Sequence, residues 1–148
     1  MTKLVRATLA ELDRLLPMVA AFHEEMGIEQ SEEARKRALM PLLEGSPYGE
    51  IHLAGPVRAP VGYCILTFGW SVEFGGRDGF IDEIFIRKPV RNRGIGSDIL
   101  RALPDLAKAA GLIALHLEVD REDTSTRALY EKMRFQPRDR YVLMSRSL

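Results

Sequence analysis

The stretch FIDEIFIRKPVRNRGIGSDIL, from Phe80 to Leu100, joins an apolar segment to the start of an amphipathic pattern. Its first seven residues are apolar on both faces of an extended chain, which predicts a strand in the middle of a sheet. Beyond it, apolar residues at 95, 99, 103, 106 and 110 share one face of a helix that Gly111 ends. Another strand is predicted at Leu112–Val119. Residues 80–119 therefore form a strand–helix–strand crossover, which predicts a mixed α/β domain.

Upstream of this stretch, the sequence predicts a strand, two helices and a hairpin. Lys3–Ala7 alternates in polarity, and Thr8 with Glu11 has the capping-box spacing of a helix start, after which Pro17 is expected to bend or break the helix. Ser31–Gly45 has the N-cap, acidic first turn and terminal glycine of a second helix. The segments GEIHLAG and PVGYCILTFGW flank GPVRAP, and this pattern predicts two strands joined by a tight turn.

The remaining segments complete the element order. Gly69–Gly79 is rich in glycine and is expected to connect two strands as a loop. Asp123 is expected to cap a short helix, TSTRALYEKM, and RYVLMSRSL is expected to end the chain as a final strand. The predicted order is strand, two helices, three strands, helix, strand, helix and strand.

The composition is that of a soluble globular protein. The chain has 148 residues, 46% apolar and 28% charged, which predicts a single domain over residues 1–148. A net charge of zero gives no global preference for nucleic acid or for an anionic membrane. The single cysteine, Cys64, excludes an intrachain disulfide and fits a reducing compartment. Because the N-terminal segment lacks a signal-peptide pattern and no segment reaches membrane-spanning length, we expect a cytoplasmic protein.

Residues 91–97, RNRGIGS, have the composition of an anion-binding helix start. The N-terminus of a helix presents unpaired amides and about half a positive charge. Gly94 and Gly96 leave these amides uncovered, and Arg91 and Arg93 add fixed positive charge. The chain has no P-loop sequence, and Ile99 stands where a dinucleotide fingerprint needs its third glycine. The segment therefore predicts a pyrophosphate site of a different kind, R-x-x-G-x-G after a buried strand.

The segment IDEIFIRKPVRNRGIGSDIL resembles the acyl-CoA-binding core of the GNAT superfamily of N-acetyltransferases, in which a strand precedes [RQ]-x-x-G-x-[GA] and a helix. The resemblance covers nearly the whole chain, since DREDTSTRALYEKMRF is similar to the family's later N-x-x-[AS]-x-x-[LF]-Y-x-[KR]-x-G-F element. It implies an α/β (α+β mixed sheet) acyl-CoA N-acyltransferase fold of roughly six to seven strands and about four helices, splayed between the strands at 80–86 and 112–119. Within the superfamily, HEEMG, IDEIFI and YVLMSRSL look most like the diamine and polyamine acetyltransferases.

The resemblance also implies which residues bind acetyl-CoA, the co-substrate. Ile84, Phe85 and Ile86 would offer strand-edge groups to the pantetheine amides. Asp123 stands where the family usually has an asparagine and is placed with the cofactor-binding residues. The pyrophosphate would be held by Arg91 and by the backbone amides of the following segment, namely Asn92, Arg93, Gly94, Ile95, Gly96 and Ser97. No metal is expected, because the three histidines lack metal-ligand spacing.

Acetyl transfer to an amine needs a base, because an alkylammonium with a pKa of about 10 is not a nucleophile. Asp82 and Glu83 are the candidates, and regular strand alternation places them on opposite faces. The resemblance fits either carboxylate, depending on the kind of acetyltransferase, and we favour Asp82. It also assigns Tyr130 as the acid that protonates the leaving thiolate. Two departures from the family's pattern, Arg134 for the usual glycine and Pro104 within the cofactor-site helix, are expected to alter the local geometry.

The acceptor side is expected to be acidic and partly aromatic. The resemblance places the early helices and the connection between the third and fourth strands around the acceptor. The residues there that would suit a cationic amine are His23, Glu24, Glu25, Glu29, Trp70 and Glu73. We therefore expect direct transfer, in a ternary complex, from acetyl-CoA to a primary amine of a small molecule such as a diamine or polyamine. The alternatives are a protein or peptide acceptor and a non-catalytic acyl-CoA-binding module. A homodimer is also implied by the resemblance.

Overall fold

The computed structural model describes all residues from Met1 to Leu148. They form five strands and four α-helices, and none of the helices is long and apolar enough to span a bilayer. In chain order the elements are β1 (Leu4–Arg6), α1 (Leu12–Glu25), α2 (Glu32–Leu43), β2 (Gly49–Ala54), β3 (Gly62–Ser71), β4 (Gly76–Ile86), α3 (Ile95–Ala109), β5 (Ala114–His116) and α4 (Thr124–Lys132), with short 3-10 helices at Leu9–Glu11 and Lys88–Val90.

The five strands form one mixed sheet in the order β1-β2-β3-β4-β5. The first four pair antiparallel in sequence, and β5 returns parallel to β4 after the crossover through α3. This confirms the mixed α/β fold with four helices, although the sheet has five strands rather than six or seven. By contacts, the chain divides into two compact units, Met1–Glu118, which holds the sheet, and Val119–Leu148, which holds α4.

Helices cover both faces of the sheet in the first unit. The core on one face contains buried side chains from α1, α2 and strands β2 to β4, among them Leu15, Val19, Leu39, Ile51, Tyr63 and Phe85. Helix α3 packs against β4 and β5 and buries Ile99, Leu100, Leu103 and Ala107. Each large aliphatic side chain removed from water contributes about 1.5–3 kcal/mol, so the two layers fix β4 between them.

The predicted caps form as the sequence signals indicate. Thr8 and Glu11 make the expected capping box, in which the Thr8 amide donates to Glu11 Oε2 over 2.7 Å. The hydroxyl of Ser31 accepts from the Ala34 amide over 3.1 Å at the start of α2. Such caps satisfy amides that have no intrahelical acceptor and contribute about 1 kcal/mol each.

Pro17 and Pro104 lie within continuous helices. The break that we considered at Pro17 does not occur, because α1 runs without interruption from Leu12 to Glu25. A proline removes one i→i−4 hydrogen bond. In α1 and α3 the neighbouring turns bury several apolar side chains each, and this packing holds the helices together through the missing bond.

The glycine-rich segment Gly69–Gly79 is not a loop, which corrects the sequence prediction. Strands β3 and β4 continue into it and pair down to Ser71 and Gly76. Gly79 fits here because a Cβ at this position would lie 2.6 Å from Leu112 Cδ1. Gly79 therefore allows close packing within the sheet, whereas Gly75, with a φ of 88°, belongs to the tight turn between the two strands.

The final strand predicted at Arg140–Leu148 is wrong. Residues 141–148 have no regular secondary structure, and Tyr141 to Met144 are exposed. The sequence is rich in strand-forming residues, but a strand exists only where a neighbour supplies ladder hydrogen bonds. For the same reason β5 is limited to Ala114–His116, the residues that pair with β4, instead of the predicted Leu112–Val119.

Candidate active site

A β-bulge in β4 lies at the two adjacent carboxylates. Ile65 of β3 pairs with Glu83, but the next β3 residue, Leu66, pairs with Ile81, so Asp82 has no partner. Neighbouring residues of β3 face opposite sides of the sheet, and Ile81 and Glu83 therefore do so as well. The prediction that Asp82 and Glu83 face opposite sides of the sheet is therefore wrong. The extra residue at the bulge interrupts the regular alternation of side chains along β4.

Both carboxylates line one cavity of about 350 Å³ on the face covered by α1 and α2. The wall is apolar along one part and charged along another. Its apolar residues are Val19, Ile28, Ala38, Leu39, Leu42 and Ile65, and its polar residues are His23, Glu29, Gln30, Arg35, Asp82 and Glu83. A cavity of this size suits a small molecule, with the polar groups setting its orientation.

Glu83 is held by hydrogen bonds at both carboxylate oxygens. The hydroxyl of Tyr63 donates to Glu83 Oε1 over 2.7 Å, and His23 Nε2 lies 2.8 Å from Glu83 Oε2. Burial and the adjacent Glu83 charge raise the pKa of Tyr63, so its hydroxyl keeps its proton and acts as the donor.

The second nitrogen of His23 is also engaged. Arg35 Nε donates to His23 Nδ1 over 3.3 Å, and Arg35 Nη2 donates to the carbonyl of Gln30 over 3.0 Å. Because Nδ1 accepts a hydrogen bond, the proton of the neutral imidazole belongs to Nε2, which donates it to Glu83. Arg35, His23, Glu83 and Tyr63 thus form one hydrogen-bonded chain.

Asp82 contrasts with its neighbour. Its side chain is exposed, and its carboxylate makes no hydrogen bond within the protein. Partial desolvation raises the pKa of Asp82, and the nearby negative charges of Glu83 and Glu118 raise it further. Of the two carboxylates, Asp82 is the one that is free to accept a proton.

The start of α3 has the exposed backbone that was predicted for an anion site. Gly94 is the N-cap and has a left-handed φ of 83°, and Asn92 has a φ of 62°. The first helical hydrogen bond runs from the Asp98 amide to the Gly94 carbonyl, so the amides of the residues between them have no acceptor in the helix. No atom lies within 4 Å of the position that a Cβ would take at Gly94. A diphosphate has room to approach these amides.

Gly96, the second glycine of the segment, is needed for close packing rather than for an open approach. A Cβ at Gly96 would lie 3.3 Å from Ile86 Cδ1, so Gly96 lets the first turn of α3 sit close to the end of β4. Of the two arginines, Arg93 is exposed, whereas Arg91 donates to the Ile86 carbonyl over 2.8 Å and to the carboxylate of Glu25. Arg91 therefore ties α1, β4 and α3 together.

The edge of β4 is open beyond the short β5. Pairing between the two strands ends at Phe80 and His116, so β4 has no strand partner on this side from Ile81 onward. This is consistent with the expected splay between the two strands. The carbonyl of Phe85 lies against Gly62 of β3, and alternate residues direct their backbone groups to opposite neighbours. Ile84 therefore presents its amide and carbonyl to this edge, and Ile86 presents its amide, while the Ile86 carbonyl accepts from Arg91. Phe85, which was also predicted to contact the pantetheine, faces β3 instead.

In the second unit, Asp123 and Tyr130 lie at opposite ends of α4. Asp123 Oδ1 accepts from the Thr126 amide over 3.1 Å, which confirms the predicted cap. Burial raises the pKa of Tyr130, and the Asp123 charge adds to this effect. At the end of the helix Arg134 has a φ of 71°, the conformation of the glycine it replaces, and the Phe135 amide donates to the Tyr130 carbonyl over 3.0 Å. The turn is retained despite the substitution.

Comparison with known proteins decides the family. The model of the acetyltransferase (GNAT) family matches residues 15–135, a span that includes the bulge, the cavity and the start of α3. The chain belongs to the GNAT acetyltransferase family. No curated protein matches the sequence.

Solved structures agree with the GNAT fold over the whole chain. Integron cassette protein HFX_CASS3, from the mobile metagenome of Cole Harbour Salt Marsh, is 29% identical with a TM-score of 0.83, and the match covers 98% of this chain and 90% of that one. A predicted acetyltransferase with acetyl-CoA from Clostridium acetobutylicum is 18% identical with a TM-score of 0.78, covering 98% and 96%. The ribosomal-protein-alanine N-acetyltransferase of Brucella melitensis biovar Abortus 2308 is 20% identical with a TM-score of 0.78, covering 99% of each chain. At such identities the last two show the fold alone.

The residues predicted for the acceptor side of this GNAT protein are dispersed. Glu24 and Glu25 lie at the end of α1 and do not line the cavity, and Glu25 is bound by Arg91. Trp70, near the end of β3, is 74% exposed, and Glu73 lies in the following turn. Glu29, from the same region of sequence, does line the cavity.

Three conspicuous residues of this GNAT protein have structural surroundings. Burial and the Glu50 charge raise the pKa of the fully buried Cys64 to about 12, so its thiol stays protonated. His52 Nε2 bonds to Glu50 over 3.1 Å, and His116 Nε2 bonds to Asp78 over 3.1 Å. Both histidines are therefore hydrogen-bonded residues of the sheet.

Sequence reasoning missed Arg35 and Tyr63, which complete the chain of hydrogen bonds at Glu83. His23 and Glu83 are 60 positions apart, and Tyr63 and Glu83 are 20 apart. The one available signal was the succession of two predicted strands, β3 and β4, because their pairing would bring Tyr63 near Glu83. Nothing in the local sequence marks Arg35, because its contact depends on how α2 packs against α1.

Proposed function

We propose that this GNAT protein transfers the acetyl group of acetyl-CoA to a primary amine of a small cationic molecule. The observation that carries the proposal is the cavity at the bulge, where an unbonded carboxylate with a raised pKa, Asp82, lies beside a fully hydrogen-bonded one, Glu83. This pairing provides a proton acceptor and a fixed negative charge in one small volume.

The residues at the start of α3 fit the donor. The amides of Ile95, Gly96 and Ser97 are available for a diphosphate, and the open space at Gly94 admits it. We assign the pantetheine to the open edge of β4, at the backbone groups of Ile84 and Ile86. Asn92, Arg93 and Asp123 remain predicted contributors to the same site.

In the proposed reaction, Asp82 takes a proton from the acceptor ammonium, and the resulting amine attacks the thioester carbonyl. A carbon–nitrogen bond forms and the carbon–sulfur bond breaks, so that CoA leaves as a thiolate. Tyr130, whose raised pKa keeps its hydroxyl protonated, donates a proton to that thiolate. The nitrogen loses its second proton as the amide forms, and this proton restores the Tyr130 hydroxyl, while the first proton leaves Asp82 to water. The oxidation state of no atom changes, and the products are the amide and free CoA.

The cavity favours a small, positively charged acceptor over a peptide. Glu29, Asp82 and Glu83 outnumber the single cation, Arg35, and the remaining wall is largely apolar. An aliphatic chain carrying a second ammonium matches this distribution, as in a short diamine or polyamine. Glu24, Glu25, Trp70 and Glu73 stay predicted acceptor contacts outside the cavity.

The test is a CoA-release screen against matched amines, preceded by calorimetric titration with acetyl-CoA. We expect heat of binding for acetyl-CoA and faster CoA release with diamines and polyamines than with neutral amino acids or peptides. Absence of acetyl-CoA binding would contradict the donor assignment. Binding without turnover of any amine would favour a non-catalytic acyl-CoA-binding module, and preferred turnover of peptides would favour a protein acceptor.

The resemblance also implies a homodimer in the cytoplasm. Sedimentation equilibrium of the purified protein tests the dimer, and a monomer at working concentration would contradict it.

A further inference from the structure

We infer that the hydrogen-bonded chain Arg35–His23–Glu83–Tyr63 is a positioning device that keeps Glu83 as a fixed anion, so that the proton leaving the acceptor goes to Asp82. The inference rests on the proposed function and adds roles for three residues, Arg35, His23 and Tyr63, that the reaction itself does not use. None of these three would touch the reacting atoms. Each would act through Glu83.

The first step is the state of His23. Its side chain is 7% exposed, and both ring nitrogens have protein partners. Arg35 can only donate, so its bond to Nδ1 requires a lone pair there and leaves the ring proton on Nε2. Arg35 thereby makes His23 a neutral donor aimed at Glu83.

The second step is the state of Glu83. Its two oxygens accept from two different donors, the imidazole of His23 and the hydroxyl of Tyr63, and its side chain is 14% exposed. Hydrogen bonds donated to a carboxylate stabilise its charged form. A proton on Glu83 would displace one of these donors and leave a buried polar group without a partner. Glu83 is therefore held as an anion.

The third step is the effect on Asp82. The two carboxylates are consecutive and line the same cavity because of the bulge, so they cannot both lose their protons without repulsion. With Glu83 fixed as the anion, the first proton that the pair takes up goes to Asp82. The other charged or titratable groups facing this pair are Glu118 beyond β5, Glu29 after α1, His23 on α1 and Arg35 on α2.

If the four hydrogen-bonded residues had only a structural role, a different titration behaviour would be expected. Tyr63 is fully buried and belongs to the core, so its ring contributes packing whether or not its hydroxyl does. Replacing Tyr63 with Phe keeps the ring and removes only the donor to Oε1. The order in which the two carboxylates take up protons separates the two roles, because packing alone does not set it.

The experiment is a pH titration of the intact protein followed by carboxyl carbon NMR, in which Asp and Glu side chains are resolved separately. In the unsubstituted protein we expect Asp82 to take up its proton at higher pH than Glu83. In Tyr63→Phe and in His23→Leu we expect the Asp82 step to fall by about one pH unit and the Glu83 step to rise toward it. His23→Gln, which retains a donor, is expected to restore much of the original order.

Tyr48→Phe is the matched control, because Tyr48 is 74% exposed and does not line the cavity. It should leave both titrations unchanged. If Glu83 takes up its proton first in the unsubstituted protein, or if both steps stay in place in Tyr63→Phe and His23→Leu, the inference is wrong. Should those variants fail to fold, the order in the unsubstituted protein decides it.

The titration needs neither acetyl-CoA nor an acceptor, so its outcome is independent of catalysis. A protein that shows the expected order but no acetyl transfer would contradict the proposed function alone. One that acetylates amines but titrates in the reverse order would contradict only the positioning role.

Discussion

Arg91 and Glu25 bind each other through Arg91 Nη2, which lies 2.8 Å from Glu25 Oε1 and 2.9 Å from Oε2. From the sequence, Arg91 was predicted to bind the diphosphate of acetyl-CoA and Glu25 to contact the acceptor amine. Because the two charges offset each other, either residue would have to leave its partner to bind a ligand. Under the proposed function, the diphosphate would therefore depend chiefly on the backbone amides at the start of α3 and on the exposed Arg93.

Replacing Gly94 with Ala is expected to weaken acetyl-CoA binding about tenfold, which corresponds to about 1.4 kcal/mol. A methyl group at this position would occupy the open space in front of the helix amides, and the left-handed φ of 83° disfavours any side chain. Calorimetric titration measures the effect. Gly45→Ala is the matched control, since Gly45 has a φ of 92° and open space but lies after α2. Equal loss of affinity in both variants would contradict the site.

Asp82→Asn is expected to lower kcat with the preferred amine by about 100-fold or more, because the amide cannot accept the ammonium proton. The affinity for acetyl-CoA should stay unchanged. Asp105→Asn, at an exposed position of α3, serves as the control and should keep full activity. If Asp82→Asn retains the unsubstituted rate, Asp82 is not the base.

The pH dependence of kcat/KM follows from the raised pKa of Asp82. The base works only when unprotonated, so activity falls as the pH drops through this pKa, and the acid limb lies above the ordinary aspartate value of about 3.9. Glu118→Gln removes one of the negative charges that raise the pKa and should move the limb to lower pH. Glu122→Gln removes an equal charge at an exposed turn and should leave it in place. If the acid limb moves to higher pH in Glu118→Gln, the Glu118 charge does not raise the pKa of the base.

Tyr130→Phe is expected to reduce kcat about 100-fold, since the leaving thiolate loses its proton donor while the aromatic ring remains. The ring contact with Phe135, at a centroid distance of 6.1 Å, should be preserved. Single-turnover measurement of CoA release tests this, with Tyr48→Phe as the control. If the single-turnover rate of CoA release is unchanged in Tyr130→Phe, the Tyr130 hydroxyl is not the acid.

Arg134→Gly is expected to stabilise the protein by about 1 kcal/mol, because Arg134 has a left-handed φ of 71° that costs a side-chain-bearing residue more than glycine. The gain is partly offset by the greater freedom of glycine in the unfolded chain. Thermal unfolding measures the change. Arg121→Gly replaces an exposed arginine in a turn without a left-handed φ and should be neutral or destabilising. A lower Tm for Arg134→Gly would show that the left-handed backbone of Arg134 is not a source of strain.

The parts that were predictable from sequence depend on neighbouring residues. The start of α3 follows from glycines and apolar spacing within a few positions, and the cap by Asp123 follows from a single side chain. Strand β4 was recognised from its composition. The crossover through α3 needed only the order of elements and the general handedness of such connections.

The parts that were missed depend on partners distant in sequence. The bulge at Asp82 is a property of the register between β3 and β4, and no pattern within β4 shows which residue lacks a partner. The end of the chain failed in the opposite way, because Tyr141 and Val142 favour a strand but have no neighbour to pair with. Local preference describes what a segment can form, and pairing decides what it does form.

The bulge also bears on how this protein can change over time. Asp82 is the one position of β4 without a partner on β3. The residues on either side of it, Ile81 and Glu83, therefore keep their pairing with β3 when the side chain at position 82 is changed. A substitution at position 82 removes no strand pairing, whereas loss of the carboxylate at Glu83 would break two partly buried hydrogen bonds. Folding therefore constrains position 83 more than position 82, so the residue proposed as the base is the one that evolution can exchange without losing the fold.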